Sequence, residues 1–197
     1  MNISGEKSNL RRKFLEKRNS LPEDFRMQAS GKICCEIRSF GKIAEAEYLA
    51  AFCHSGAEPN IDPFLSEEAG KGKSIYFPRY NPDIGQYEMA KADKFPAGFR
   101  KGKFGIQEPI GDSEPATDDK IRKMTWLVPG VAFDKSGARL GHGNGIYDRL
   151  LKERDGLKIG ICFSVQITEN IPSEDYDAKM DYMICEKGKI KCKRNGG

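Results

Sequence analysis

The chain has 197 residues, of which 38% are hydrophobic and 31% are charged, and its formal net charge is +4. This length fits one domain with a sizeable core, and no apolar run approaches the roughly 20 residues that a bilayer-spanning helix needs. The mild positive charge suits anionic small molecules and is too weak to indicate a nucleic-acid-binding protein. We therefore expect a single domain over residues 1–197 with no membrane and no nucleic acid as a partner.

The six cysteines do not indicate disulfides or a zinc site. Residues 1–7 contain no apolar signal region, so we expect a cytoplasmic protein whose thiols stay reduced. None of the cysteines has the C-x-x-C spacing of a structural zinc site.

Two helices are predicted at the start of the chain, as a pair covering residues 5–39. Residues 5–19 form a basic amphipathic helix in which Lys7 and Arg11 share one face. That face is either a solvated surface or a contact for phosphates, and the helix pattern leaves both interpretations open. Residues 20–23 match a capping box with a proline in the first turn and predict a second helix.

Strands alternate with helices along the rest of the chain. The predicted strands cover residues 47–53, 73–78, 125–128, 157–163 and 181–185, and a short helix covers 62–68. Residues 86–91 alternate between apolar and polar, which is typical of an antiparallel edge hairpin. Residues 92–118 are expected to be long loops that could include a mobile cover, and 187–197 a basic tail that frays. This order favours a three-layer α/β/α sandwich with a largely parallel central sheet.

Glycine alternates with other residues at positions 141, 143 and 145, between a predicted strand and a predicted helix over 145–154. Such a segment (residues 141–145, here called the glycine segment) lets backbone N–H groups approach an anion at a helix N-terminus. Arg139 can clamp phosphate and Asp148 can hold the accompanying cation. Ile146 excludes the dinucleotide pattern G-x-G-x-x-G. The alternative is a flexible turn with no ligand.

Residues 128–149 as a whole resemble the 5-formyltetrahydrofolate cyclo-ligases, also called methenyltetrahydrofolate synthetases. Residues 7–11, 160–166 and 172–177 support the resemblance, which covers nearly the whole chain. It implies that ATP and 5-formyltetrahydrofolate give ADP, phosphate and 5,10-methenyltetrahydrofolate, with Mg²⁺ required. The implied route passes through a phosphorylated formyl group, an iminium phosphate that N10 then captures.

The same resemblance assigns roles to individual residues. It implies that ATP is held by Lys7, Arg11, Arg139, Leu140, Gly141, His142, Gly143, Asn144, Gly145, Ile146 and Tyr147. It implies that the folate is held by Glu58, His142, Gly143, Asn144, Gly145 and Ile146. Asp148 and Asp177 are implied as magnesium ligands and Arg139 as the catalytic residue. Glu58 could instead be a surface carboxylate, and Asp177 a solvated acid or a helix cap. Gln166 and Tyr80 are expected to be structural.

Three positions depart from the common family pattern. The family often has lysine or glycine where this chain has Asn144, an aromatic residue where it has Ile146, and a basic or aromatic one at His142. These departures put substrate preference in question more than fold.

Two rival functions use the same scaffold. An RNA-binding relative would need stacking aromatics among the basic residues of the first helix, which offers only Phe14. An enzyme acting on a coenzyme A ester or a sugar phosphate would need an acid–base pair, and Glu58 alone does not supply one. We expect a monomer that acts on small molecules.

Overall fold

The computed structural model describes residues 3–92, 95–110, 113–152, 155–174 and 177–193. Its helices are α1 (Ile3–Asn19), α2 (Glu23–Arg38), α3 (Gly41–Ala44), α4 (Asp62–Gly70), α5 (Asp118–Lys123) and α6 (Ile146–Leu151), with 3₁₀ turns at Lys103–Gly105 and Ser164–Gln166. Its strands are β1 (Tyr48–Ala50), β2 (Ser74–Asn81), β3 (Gln86–Lys91), β4 (Phe99–Lys101), β5 (Gln107–Pro109), β6 (Met124–Pro129), β7 (Ala132–Asp134), β8 (Arg139–Leu140), β9 (Lys158–Ile161), β10 (Ile167–Thr168), β11 (Tyr182–Cys185) and β12 (Gly188–Lys191). None of the helices in these ranges is long and apolar enough to cross a bilayer.

The central sheet has seven strands in the order β12-β11-β9-β6-β1-β2-β3. The five inner strands are parallel to one another, and β3 and β12 pair antiparallel at the two edges. The predicted α/β fold, with a largely parallel sheet and an edge hairpin at 86–91, is confirmed. Strand β12 lies within residues 187–197, which were predicted as a basic tail that frays at its end, and it forms a second edge hairpin with β11, where a strand was predicted. Residues 194–197 lie outside the described part of the chain.

Two hydrophobic cores cover the two faces of this sheet. One contains Ile33 and Ile37 of α2 together with Phe64 of α4. The other contains Leu150 of α6 and the fully buried ring of Phe133. Strands that are covered on both faces need continuous apolar sequence, which is why they were recognisable without period-2 alternation.

A second, three-stranded sheet, β10-β7-β8, lies beside the first and was not predicted. Arg139 and Leu140 therefore belong to a strand, whereas the sequence suggested a loop. Buried Asp134 fixes the turn between β7 and β8, because its Oδ1 accepts hydrogen bonds from the Ser136 and Ala138 N–H groups. Helix α1 packs on this small sheet through a satellite core of Phe14, Val131, Ala132, Ala138, Leu140 and Ile171.

Two local predictions were wrong. The capping box at 20–23 does not form, because Pro22 is the N-cap of α2 and no side chain caps this helix. The Ser20 hydroxyl instead donates to the Lys17 carbonyl at the end of α1. Residues 92–118 are not loop throughout, since β4 and β5 form a hairpin there; residues 93–94 and 111–112 lie outside the described part.

Candidate active site

The carboxyl ends of β1 and β6 lie side by side at the centre of the sheet. From β1 the chain continues to β2 on one side, and from β6 it continues to β9 on the other side. Open α/β sheets bind ligands in the crevice that such a divergence creates. A cavity of about 590 Å³ lies there, lined by residues that follow β1, residues that follow β6, and one face of α1.

The residues that the sequence suggested for the site all line this one cavity. They are Lys7, Arg11, Glu58, Arg139, Leu140, Gly141, His142, Gly143, Asn144, Gly145, Ile146, Tyr147, Asp148 and Asp177. They come from four separate parts of the chain, so the juxtaposition is a property of the fold and not of sequence proximity.

The glycine segment forms one wall of the cavity and leads into α6. Gly143 and Gly145 have φ values of 103° and 63°, a backbone region that glycine occupies without strain. Gly145 is the N-cap of α6. Arg11 supports the segment from α1, because its Nε donates to the Gly141 carbonyl at 2.8 Å. Asn144 and His142 are exposed, whereas Ile146 is buried and packs in the core beside Leu150.

Arg139 lies underneath the glycine segment with its side chain only 4% exposed. Its Nη2 donates to Asp148 Oδ1 at 2.7 Å, and its guanidinium lies 5.5 Å from the ring centre of Tyr147. A β-carbon at position 141 would come within 2.8 Å of Arg139 Nη1, so glycine there lets the guanidinium approach the backbone. Burial raises the pKa of the Tyr147 phenol, which stays neutral at physiological pH.

A cluster of one cation and two carboxylates joins α1 to the C-terminal part of the chain. Lys7 Nζ lies 2.7 Å from Asp177 Oδ2 and 3.0 Å from Glu174 Oε2. Burial alone would lower the pKa of Lys7, but its hydrogen bonds to Asp177 and Glu174 outweigh that effect and raise it. Within the described ranges, no group of three or more His, Cys, Asp or Glu side chains is arranged to hold a metal ion.

Glu58 is held on both carboxylate oxygens. Its Oε2 accepts a hydrogen bond from the Ser55 N–H at 3.1 Å. Its Oε1 lies 3.5 Å from Arg18 Nη1 and 3.5 Å from His142 Nε2. Arg18 was missed at the sequence level, although its spacing from Lys7 and Arg11 places all three cations on one face of a helix.

The segment around Phe104 was also missed. Residues 104–107 also line the cavity, and Phe104 is 61% exposed. The Tyr87 hydroxyl anchors this segment by donating to the Lys103 carbonyl at 2.6 Å, and Lys103 Nζ lies 4.0 Å from the ring centre of Tyr80. No periodic apolar pattern marks these residues in the sequence, so no signal would have found them.

Gln166 is structural, as expected. It is fully buried, and its Nε2 donates to the Gly130 and Val131 carbonyls at 2.8 and 3.0 Å. These bonds fix the turn after β6 that leads to the cavity. A β-carbon at Gly130 would lie 2.6 Å from the Phe133 ring, so the turn also requires glycine.

His54 and Asp62 secure the loop that carries Glu58, with 2.9 Å between His54 Nδ1 and Asp62 Oδ2. This hydrogen bond raises the pKa of His54.

The His54–Asp62 pair is partly exposed, so we expect it to contribute less than about 1 kcal/mol to the free energy of unfolding. Because the pKa is raised on folding, this stability is fully present below the ordinary histidine pKa of 6.5 and is lost as pH rises through the folded value. Urea midpoints measured across that interval should fall more in the wild type than in His54→Gln; parallel pH profiles would contradict the expectation.

Comparison with known proteins gives the site its context. The sequence model of the 5-formyltetrahydrofolate cyclo-ligase family matches residues 3–186. The Saccharomyces cerevisiae 5-formyltetrahydrofolate cyclo-ligase is 27% identical over 92% of this chain and 95% of its own length. A probable 5-formyltetrahydrofolate cyclo-ligase from Schizosaccharomyces pombe is 32% identical over 61% of this chain and 65% of its own length.

A solved structure agrees with these sequence matches. The NMR structure of Aquifex aeolicus 5,10-methenyltetrahydrofolate synthetase superposes with a TM-score of 0.82 at 34% identity, covering 97% of this chain and 94% of that one. The resemblance that the sequence suggested is confirmed over nearly the whole chain. This protein therefore belongs to the 5-formyltetrahydrofolate cyclo-ligase family.

Proposed function

We propose that the protein converts 5-formyltetrahydrofolate to 5,10-methenyltetrahydrofolate in a reaction that requires ATP and Mg²⁺ and releases ADP and phosphate. The observation that carries the proposal is the convergence of Lys7, Arg11, Arg139 and the glycine segment on one cavity that Glu58 also lines. Family membership supports the cyclo-ligase reaction, and the cationic wall of the cavity supports a nucleotide co-substrate.

The chemistry explains why ATP is needed. Ring closure must expel the formyl oxygen, which is a poor leaving group until it is phosphorylated. We propose that this oxygen attacks the γ-phosphorus and ADP leaves. N10 then attacks the formyl carbon and loses its proton to solvent, and the C–O bond breaks as phosphate leaves. Phosphoryl transfer needs positioning and charge neutralisation more than a protein nucleophile.

The cavity supplies those two requirements on its nucleotide side. Backbone N–H groups of the glycine segment are proposed to cradle the phosphates, with the N-terminus of α6 behind them. Arg11 donates to Gly141 through Nε, and we assign its Nη groups to phosphate oxygens. Arg139 places a permanent positive charge beneath the same segment. Asn144 is exposed at its tip, so the missing lysine is expected to affect rate or ATP affinity without disturbing the fold.

The carboxylates beside these cations fit a magnesium ion that arrives with the nucleotide. Mg²⁺ in phosphate sites is held by one or two carboxylates, with phosphate oxygens and water completing the shell. Asp177 and Asp148 would hold it; each is already oriented by a cation, Lys7 and Arg139 respectively. When bound, the ion would neutralise charge on the phosphates.

The folate is proposed to lie beside Glu58. This carboxylate is available to N–H donors of the pterin or to the N10 region, and exposed Phe104, which also lines the cavity, offers a ring. Ile146 faces the core as well as the cavity, so we expect its departure from an aromatic residue to be a modest change in one wall. We propose that the protein acts as a monomer.

The deciding experiment follows the absorbance band of methenyl-folate with purified protein, 5-formyltetrahydrofolate and Mg-ATP. We expect turnover that disappears when ATP is omitted and again when Mg²⁺ is removed by a chelator. A folded protein that binds ATP without forming the methenyl product would overturn the proposal. Turnover without ATP would overturn both the ATP requirement and the phosphorylated intermediate.

A further inference from the structure

Arg18 is the most deeply buried of the α1 cations that lie on the side of this helix next to the cavity. It is 4% exposed, compared with a half-buried Arg11 on the same helix face. Its Nη1 lies 3.5 Å from Glu58 Oε1, while its Nε is buried with no hydrogen-bond partner. Burial lowers the pKa of Arg18, and the negative charge of Glu58 opposes that effect. Burial of a guanidinium costs desolvation free energy, which an ion pair with a carboxylate offsets only if the geometry is good. A structural role alone therefore explains this buried cation less well than a role that involves Glu58.

The carboxylate of Glu58 lies among protein groups and has little contact with solvent. Its side chain is only 10% exposed, and burial of a charged group costs free energy unless the group is paired. Four groups face it: Arg18 from α1, His142 from the glycine segment, Tyr147 from α6 and His54 from its own loop. Tyr147 is neutral, and the two histidines are charged only when protonated. Arg18 alone carries a charge that does not depend on pH.

We propose that Arg18 is a positioning residue for the folate: its buried guanidinium pairs with Glu58 and holds the carboxylate turned toward the cavity, where it accepts hydrogen bonds from the substrate. This inference rests on the proposed function. Arg18 itself does not line the cavity and acts only through Glu58. The Ser55 N–H fixes the second oxygen of Glu58, so the two contacts together define the orientation of the carboxylate.

The test separates substrate binding from folding. Arg18→Met keeps an unbranched apolar stem and removes the charge. Arg18→Lys restores the charge, and Lys13→Met on the exposed face of α1 is the matched control. We expect Arg18→Met to raise KM for 5-formyltetrahydrofolate about tenfold, the effect of losing one charge-assisted hydrogen bond. KM for ATP should change less than about twofold, because a twofold change corresponds to a free energy well below that of one charge-assisted hydrogen bond. Arg18→Lys should recover most of the loss, and Lys13→Met should behave as wild type.

A double-mutant cycle gives the decisive readout. In a Glu58→Gln background, Arg18→Met should raise KM no further, because the group that Arg18 orients is already gone. The proposal would be overturned if Arg18→Met raised KM for the folate equally in both backgrounds, or if it left this KM unchanged. It would also be overturned if KM for the folate and KM for ATP rose together and Tm fell. Equilibrium dialysis of 5-formyltetrahydrofolate without ATP adds a readout independent of turnover. If wild type fails to bind or convert this substrate, the proposed function fails; if wild type turns over normally, only the role of Arg18 is at stake.

Discussion

Replacing Arg139 by alanine is expected to lower kcat/KM by about 30- to 10³-fold, or roughly 2 to 4 kcal/mol of transition-state stabilisation. The guanidinium orients Asp148 at 2.7 Å and is almost fully buried under the glycine segment. Its loss removes a preorganised positive charge and also frees a proposed magnesium ligand. Steady-state kinetics with both substrates varied would measure the effect, which should be larger on kcat than on KM for the folate.

Two variants sharpen this prediction. Arg139→Lys keeps the charge but cannot reproduce the planar guanidinium, so we expect recovery of only part of the rate. Arg122→Ala on the exposed side of α5 is the matched control and should leave turnover unchanged. Wild-type turnover in Arg139→Ala would show that the phosphates are clamped elsewhere.

The largest effect on stability is expected from Gly160→Ala, with a loss of about 1 to 3 kcal/mol in the free energy of unfolding, as overpacked cores show. Gly160 lies in β9, and a β-carbon there would come within 2.5 Å of Phe133 Cε1 and 2.8 Å of Cδ1. The Phe133 ring is fully buried between the central sheet and β7, so it has little room to move. Urea denaturation followed by circular dichroism would measure the change in midpoint.

A helical glycine provides the contrast. Gly31 lies inside α2, and a β-carbon there would meet nothing within 4 Å. Gly31→Ala should stabilise the protein by about 0.5 to 1 kcal/mol through helix propensity. In a Phe133→Leu background the smaller side chain should relieve part of the Gly160→Ala penalty. The same penalty in both backgrounds would show that the clash with the ring is not its cause.

The inner strands and the glycine segment were predictable because their signals are local. A strand buried on both faces is a continuous apolar run, and alternating glycines before a helix mark a segment whose backbone N–H groups are accessible to an anion. Strands of two or three residues such as β8 and β10 carry no such signal, because they are too short for any periodicity. They form only because β7 lies between them.

The basic face of α1 shows why some site residues could not be found from sequence alone. Helix α1 packs through Phe14 and presents Lys7 and Arg11 to the cavity, whereas their contact with phosphates stays a prediction. Which cation meets which acid depends on contacts between distant segments. Lys7 with Glu174 and Arg18 with Glu58 are pairings that only the three-dimensional arrangement reveals.

The long separation of these partners along the sequence affects the order in which the protein folds during synthesis. Lys7 is 167 residues from Glu174 and 170 from Asp177, and Arg11 is 130 from Gly141. Contacts of such length pay the entropy of closing a long loop before they form. Helix α1 is synthesised before its acidic partners, and it can meet them only after the residues between them have emerged from the ribosome. Ligands stabilise a protein only in the state that binds them, so we expect nucleotide and folate to protect the finished protein while leaving the nascent chain to fold without their help.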